Sequence, residues 1–297
     1  MTEKPVRTAK DRVIDALLIA MMVVPFLCGI ALKVLTAPAS EGITVTGSQI
    51  YFTIPMPIQN LEITESQVVS LIVIISTIGL CLYLTRGLSV VPGSKRQIIA
   101  EWAVEAVQKM VNSSMGERFA GFAPFVAAIL VLSALSSLSS LVGLHPPTSD
   151  INIVAGWALL VFILITYYKM KAGPIVYLKS FAEPIPLFAP FNVISEIATP
   201  ISMSFRHYGN VLSGVVIGTM IAVGLGNLSN LLLGWLTDFK LLRIGIPAIL
   251  SFYFDLFSGC LQAYIFAMLT MLYVSGGFPA DAYDALQAKK AAKKAAA

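Results

Sequence analysis

The sequence predicts an all-α integral membrane protein with about six membrane segments, the last two long and strongly tilted, plus one amphipathic helix on the membrane surface. Of its 297 residues, 57% are hydrophobic and only 12% are charged, whereas soluble domains contain about 25% charged residues. The mean hydropathy is +0.82. Six nearly uncharged runs approach or exceed the ~20 residues that cross ~30 Å of hydrocarbon. These runs are Val13–Leu35, Ser66–Thr85, Gly121–Gly143, Ile151–Tyr168, Asn192–Gly226 and Ile244–Phe278.

The placement of lysine and arginine predicts that both termini lie in the cytoplasm, because these residues accumulate in cytoplasmic loops. With the N-terminus inside, the inside segments hold most of the 20 lysines and arginines. The opposite orientation would place most of them outside. The net charge of +4 belongs to these loops, so it gives no indication of nucleic-acid binding.

The first run leaves two interpretations open. Lys10 and Arg12 precede it and the string APA at Ala37–Ala39 follows it, as in a cleaved signal peptide. The run is long for such a peptide, which favours a retained membrane segment. The expected organisation is a membrane or signal-like segment at 1–39, an outer loop at 40–65, a main membrane domain at 66–278 and a disordered basic cytoplasmic tail at 279–297.

The segment between the second and third runs predicts an amphipathic helix near Ile98–Met110. After Pro92 and Gly93, apolar residues collect on one helical side and charged residues on the other. A helix of this kind with a tryptophan, here Trp102, lies in the membrane interface instead of crossing the bilayer. A soluble linker helix is the alternative.

The last two runs are unusually long. Each covers about 35 residues, or about 52 Å at 1.5 Å per residue, against ~30 Å of hydrocarbon. We therefore expect both helices to tilt far beyond the ~20° average of membrane helices. Strongly slanted helices suit a chain that wraps around a partner.

The fifth run carries a charge that needs an explanation. Arg206 lies near its centre, where an arginine costs at least ~2.5–3.5 kcal/mol on insertion scales, and its guanidinium does not lose its proton. Polar residues at helical spacing share its face, and the sixth run repeats this pattern. Ionisable groups inside a membrane mark ion or proton pathways. The two stripes are Ser195, Thr199, Ser202, Arg206, Asn210 and Ser213, and then Ser251, Asp255, Ser258 and Gln262.

The order of the helices places two acids at opposite depths of the membrane. If the fifth run goes from inside to outside, Glu196 lies toward the cytoplasm, about 15 Å along the axis from Arg206. The sixth run returns, which places Asp255 toward the exterior and Gln262 near the level of Arg206. A fixed cation between the two acids blocks direct conduction, so a carrier outside this chain must bring ions past Arg206.

Four strings at these positions resemble subunit a of F-type ATP synthases. PISMSFRHYGNVLSG resembles its arginine motif, GCLQAYIFAMLTMLYV its final helix, PPTSDIN an outer loop and VPGSKRQIIAEWAVEAV its membrane-surface helix. The resemblance covers roughly Glu65 to Phe278 and is specific as a set. It implies that residues 66–278 form an ion-translocating stator, not an enzyme by itself, in which two offset half-channels lead to a ring of c subunits.

The resemblance also implies roles for individual residues. It makes Arg206 the essential arginine that separates the two half-channels, and Glu196 an acid of the cytoplasmic exit. The remaining implied residues are polar companions of the arginine, Asn210 and Gln262, and groups at the outer entrance, Asp150 and Asn152.

The sequence departs from the family pattern near the arginine. His207 and Tyr208 stand where Leu-Phe is common, and Val215 occupies a place that often holds Glu or His. Asp255 sits where His or Glu is usual, so we expect the outer entrance to depend on Asp255, with Asp150 as a second group. His207 points about 100° away from the arginine on a helix, which disfavours a direct relay. Further possible contributors are His207, Ser202, Ser213 and Ser258.

The resemblance implies a set of partners and a location. The partners are the c-subunit ring, the peripheral-stalk b subunits, the remainder of the ATP synthase, the lipid bilayer, and H⁺ or Na⁺ as the transported ion, with no nucleic acid. The location is the bacterial cell (inner) membrane. The choice between H⁺ and Na⁺ depends largely on the carboxylate of the partner ring.

Two other classes of protein fit the sequence less well. A secondary transporter could hold an anionic substrate at Arg206, but no second copy of the arginine motif occurs. An enzyme is disfavoured because no H-E-x-x-H, G-x-S-x-G or P-loop string is present. His145, beside a Pro-Pro turn, is expected in a surface loop far from the other histidine. The sequence therefore predicts neither a metal site nor a cofactor.

Overall fold

The computed structural model describes residues 9–36, 47–57, 60–90, 94–183, 185–233, 245, 247, 249–250, 252–284 and 288. Contacts within the chain divide it into two compact units. The first unit comprises Met1–Glu105, Val131–Asp150 and Tyr208–Ala263, and the second comprises Ala106–Leu130, Ile151–His207 and Tyr264–Ala297.

Helices make up most of the described chain, which confirms the predicted all-α membrane class. Six helical stretches are long and apolar enough to cross a membrane: Ala9–Thr36, Glu65–Thr85, Glu117–Val142, Ile151–Ala172, Pro186–Leu232 and Phe252–Gly276. The elements in chain order are α1 (Ala9–Thr36), β1 (Ile50–Ile54), β2 (Leu61–Thr64), α2 (Glu65–Thr85), α3 (Lys95–Met115), a 3₁₀ helix (Glu117–Phe122), α4 (Ala123–Leu138), two 3₁₀ turns (Ser139–Val142 and Pro147–Ser149), α5 (Ile151–Ala172), α6 (Pro174–Ser180), a 3₁₀ turn (Pro186–Phe188), α7 (Ala189–Leu233), a π-helical segment (Phe252–Ser258) and α8 (Gly259–Gly276).

In the first unit, α1 packs along α2 and an ion pair joins them at each end. Lys33 lies 3.0 Å from Glu65 at one end, and Arg86 lies 2.8 Å from Asp11 at the other. Between them, Gly29 is buried, and a Cβ atom there would lie only 2.6 Å from a methyl carbon of the α2 core. A small residue at a helix interface allows the two backbones to approach closely.

A short hairpin lies inside the segment that the sequence treats as an outer loop. Strand β1 pairs antiparallel with β2, with Ile50 opposite Thr64 and Ile54 opposite Leu61. The period-two alternation of Ile50, Phe52 and Ile54 is the sequence signal for such a strand.

The second unit has an aromatic core built from several helices. Phe119, Tyr168 and Phe278 contact one another, with ring centroids 5.5 to 6.3 Å apart. Val111 and Met115 at the C-terminal end of α3 are buried in this core.

The N-terminal part of α3 has a different environment, because the side chains of Ile98, Ile99 and Trp102 are exposed. The helix itself confirms the prediction for this segment. Its location at the membrane surface stays a prediction. Within the predicted disordered tail, residues 280–284 are helical. The lysines of the tail lie outside the described residues.

Helix α7 is longer than the predicted run, with 45 residues that continue through Pro200 without a break. At 1.5 Å per residue it is about 67 Å long, roughly twice the hydrocarbon thickness. The described part of the sixth span is shorter, 25 residues from Phe252 to Gly276. The residues before it are described only at 245, 247 and 249–250, where the backbone is helical. The strong tilt of both helices stays a prediction.

The start of α8 approaches α4 closely within the first unit, at a glycine. A Cβ atom at Gly259 would lie 2.9 Å from the Cβ of Ser137, which is closer than normal van der Waals contact. We expect Gly259→Ala to lower the stability of the protein by about 1–3 kcal/mol, the usual cost of overpacking. The melting temperature of the purified chain in lipid or detergent measures the effect.

Gly156→Ala is the matched control for this prediction. Gly156 is also a helical glycine, but no atom lies within 4 Å of a Cβ built on it. Alanine has the higher helix propensity, so the control should melt at the wild-type temperature or slightly above it. If Gly259→Ala is as stable as Gly156→Ala, the close approach at Ser137 is wrong.

Candidate functional site

Most residues of the polar stripe predicted on α7 are exposed. None of its six residues is buried: Ser195, Ser202, Arg206 and Ser213 are exposed, and Thr199 and Asn210 are half-buried. Within the second unit, no described carboxylate lies within ion-pair distance of Arg206. Apolar neighbours on the helix are exposed too, with Phe205 61% and Ile201 51% accessible. This surface is apolar with a permanent cation in its middle.

A different face of the same helical turn is packed in the core of the second unit. His207 is fully buried, and Met203, one turn earlier, is 2% exposed. The His207 ring lies edge-on to Trp157 of α5 at 6.2 Å and to Phe266 of α8 at 5.5 Å between centroids. These contacts fix the rotation of the helix about its axis. Arg206, about 100° from His207, therefore points away from the core, and the separation of the two side chains is the one that the sequence predicts.

The first unit joins α7 to the π-helical segment through a reciprocal pair of hydrogen bonds. The Ser258 hydroxyl donates to the side-chain oxygen of Asn210 at 2.9 Å, and the Asn210 amide donates to the Ser258 carbonyl at 3.3 Å. One turn further along α7, a Cβ atom at Gly214 would lie 3.0 Å from the Cβ of Phe254. The structure thus brings together two predicted site residues, Asn210 and Ser258.

Asp255 lies within the π-helical segment, where the backbone departs from α-helical hydrogen bonding. Segments of this kind occur frequently at functional sites. Asp255 is half-buried, and Gln262, two turns later on α8, is 4% exposed. Ser251, the first residue of the predicted stripe, lies outside the described residues.

In the second unit, Glu196 is held by Lys169, a residue that the sequence does not indicate as part of the site. The Lys169 ammonium of α5 lies 2.7 Å from both carboxylate oxygens of Glu196. The Tyr177 hydroxyl of α6 is 3.5 Å from the same carboxylate, at the limit of a hydrogen bond. Burial raises the pKa of Tyr177, and the negative charge of Glu196 raises it further. Lys169 stands at the predicted cytoplasmic end of the fourth apolar run, which is the only sign of it in the sequence. Nothing in the sequence links it to Glu196.

A cavity of about 240 Å³ opens beside this ion pair. Its apolar wall comes mainly from α5 and α8, and its polar groups are the ion pair and two hydroxyls. The residues that line it are Phe162, Ile165, Lys169, Glu196, Thr199, Leu272, Tyr273, Gly276 and Gly277.

A second polar cluster lies in the first unit, at the N-terminal end of α2. Glu65 is 3% exposed, pairs with Lys33 and accepts the backbone N–H of His145 at 3.2 Å. The His145 ring lies 2.9 Å from the Ser149 hydroxyl. The sequence places His145 in a surface loop, but the structure has it half-buried. Burial is the main cause that lowers its pKa, opposed by the nearby charge of Glu65.

The two predicted entrance residues lie at the junction that follows this cluster. Asp150 is half-buried and directly precedes α5, and Asn152 is exposed in its first turn. The buried Glu65 was missed because a glutamate at the start of an apolar run is normally expected at the surface. No group of three or more potential metal ligands occurs among the residues that the structure describes.

Comparison with known proteins gives a consistent result. The family model described as "ATP synthase A chain" matches residues 67–275. "ATP synthase subunit a" of Bacillus pumilus is 33% identical over 230 residues, which cover 72% of this chain and 89% of that protein. The protein of the same description from Bacillus velezensis is 33% identical over 234 residues, with the same coverage.

A third relative is "ATP synthase subunit a, sodium ion specific" of Propionigenium modestum, 38% identical over 134 residues, or 45% of this chain and 40% of that protein. None of these matches supports the alternative of a secondary transporter. The chain belongs to the ATP synthase A chain family, whose members translocate ions in the membrane sector and are not catalytic by themselves.

Proposed function

We propose that Arg206 is the fixed cation that separates two ion half-channels and faces the ring of c subunits. The observation that carries this proposal is the exposure of Arg206 on an apolar helix face, without an ion pair from the described part of its own unit. A guanidinium inside a membrane needs a counter-charge. A carboxylate on a neighbouring subunit provides one each time it passes.

The exit route is assigned to the cavity beside Glu196, which offers a carboxylate, an ammonium and two hydroxyls. The entrance route is assigned to Asp255, together with Asp150 and Asn152. Asn210 and Gln262 are assigned as polar companions of the arginine, and the hydrogen bonds between Asn210 and Ser258 hold α7 to the π-helical segment. Ser202 and Ser213 extend the exposed stripe.

Membership of the family supports a set of partners and a location. The chain works with the remainder of the ATP synthase, and we assign the c-subunit ring to the exposed face of α7. The peripheral-stalk b subunits are the second expected partner. We place the protein in the bacterial cell membrane with both termini in the cytoplasm, and the ion-paired packing of α1 on α2 favours a retained first span. One relative is named sodium ion specific, but that match is too partial to fix the ion.

Replacement of Arg206 tests the proposed separation of the half-channels. We expect Arg206→Ala to abolish coupled ATP synthesis and to leave or raise the passive ion leak. Without the cation, a ring carboxylate loses the partner that lowers its pKa by ~1–3 units. Arg206→Lys should impair synthesis, because a compact ammonium does not reproduce the planar, permanently charged guanidinium. ATP synthesis and ion leak are measured on the whole complex in vesicles, with co-purified subunits as the control for assembly.

An assembled Arg206→Ala complex that makes ATP near the wild-type rate would overturn this proposal.

Replacement of Asp255 tests the entrance route. Val215 occupies a position where the family often has a titratable residue, so few other acids are available near the outer end of α7. We expect Asp255→Asn to slow ion-driven ATP synthesis by roughly tenfold or more, because an amide does not take up and release a proton and positioned proton-transfer groups contribute about 10²–10⁴-fold in rate. Asp281→Asn is the matched control, since Asp281 is exposed and lies beyond the last span.

Equal rates for wild type and Asp255→Asn across the pH range would show that Asp255 is dispensable, and the entrance would then depend on Asp150 or on water.

A further inference from the structure

The cavity beside Glu196 has an unusual charge balance for a cation route. Among the described residues that line it, Glu196 supplies the one carboxylate and Lys169 the one ammonium. The two side chains are 18% and 28% exposed, respectively, so both are partly withdrawn from solvent. The remaining polar groups are the hydroxyls of Thr199 and Tyr273. The lining therefore has no net negative charge.

Lys169 occupies the positions at which a metal cation would bind. Its ammonium lies 2.7 Å from each oxygen of Glu196, so both carboxylate oxygens already have a cationic partner. The lysine stem also packs close to Gly277, since its Cγ lies 2.9 Å from the position that a Cβ of residue 277 would take. Its ammonium also lies 5.7 Å from the centre of the Tyr177 ring. The ion pair is thus part of the packed wall.

A sodium ion and a proton meet this wall differently. Hard metal cations bind to several oxygen ligands, carboxylates above all. A sodium ion at Glu196 would lie beside the ammonium and be repelled by it. A proton needs no coordination shell, because it transfers between water molecules and hydroxyl oxygens. The Thr199 hydroxyl donates to the Ser195 carbonyl at 3.1 Å, which leaves its oxygen as an acceptor.

From this geometry we infer that Lys169 is a specificity-determining residue, which makes the cavity an outlet for protons that excludes sodium ions. The inference rests on the proposed function and adds the identity of the ion. It assigns part of the ion selection to this chain, through a repulsive element, which is a common way to build specificity.

Sodium dependence of the complete enzyme in vesicles tests the inference. ATP-driven proton uptake is recorded in NaCl and in choline chloride at equal ionic strength, and uptake of radioactive sodium is measured in parallel. Wild type should pump protons equally in both salts and take up no sodium. Lys169→Gln should pump about threefold or more slowly in NaCl than in choline chloride, because sodium can then occupy Glu196. Lys169→Arg keeps the positive charge, so the ratio of its pumping rates in the two salts should equal the wild-type ratio, whatever its absolute rate.

Gly277→Ala provides a second route if Lys169→Gln does not assemble. The added Cβ displaces the lysine stem, so the variant should acquire a weaker sodium inhibition. Sodium uptake by wild type, or equal rates in both salts for each assembled Lys169→Gln or Gly277→Ala complex, would overturn the inference. A wild-type complex that transports neither ion would instead contradict the proposed function itself.

Discussion

An arginine in the middle of an apolar helix keeps its charge, and much of this chain can be understood as a response to that constraint. A lysine or an acid could become neutral in the same place, but the guanidinium does not. Helix α7 leaves Arg206 exposed, while His207 on the other side of the helix is fully buried between two aromatic rings. We propose that another subunit supplies the counter-charge, as expected for a stator and not for a self-contained channel.

The helices of the first unit are held by contacts that use small and polar side chains. Gly214 and Gly259 allow backbones to approach within the first unit, and the Asn210–Ser258 pair satisfies both polar groups in an apolar environment. Such interhelical hydrogen bonds are worth about 0.6–2 kcal/mol each in membranes. Their larger contribution is to fix the register of α7, because a shift by one residue would rotate the arginine by about 100°.

The sequence was sufficient for the membrane spans, which are continuous apolar runs, and for the set of polar residues that share one face of α7, which follows from helical spacing. The exposure of Arg206 on that face is seen only in the structure. Lys169 and Glu65 could not be found in this way, because each acquires its role from a partner distant in the chain. Glu196 and Lys169 are 27 residues apart, and Glu65 and His145 are 80 apart. The hairpin was not predicted, because its strand signal is short and lies beside long apolar runs.

The most direct test of this account is a structure of the complete ATP synthase in lipid, in which the surroundings of Arg206 are resolved. The account predicts that a carboxylate of the c-subunit ring lies within ~4–6 Å of the guanidinium, the range over which an opposite charge keeps an acid ionised. It also predicts that the exposed face of α7 is covered by that ring. A guanidinium that faces lipid, or one that is paired permanently with a carboxylate of its own chain, would contradict the account.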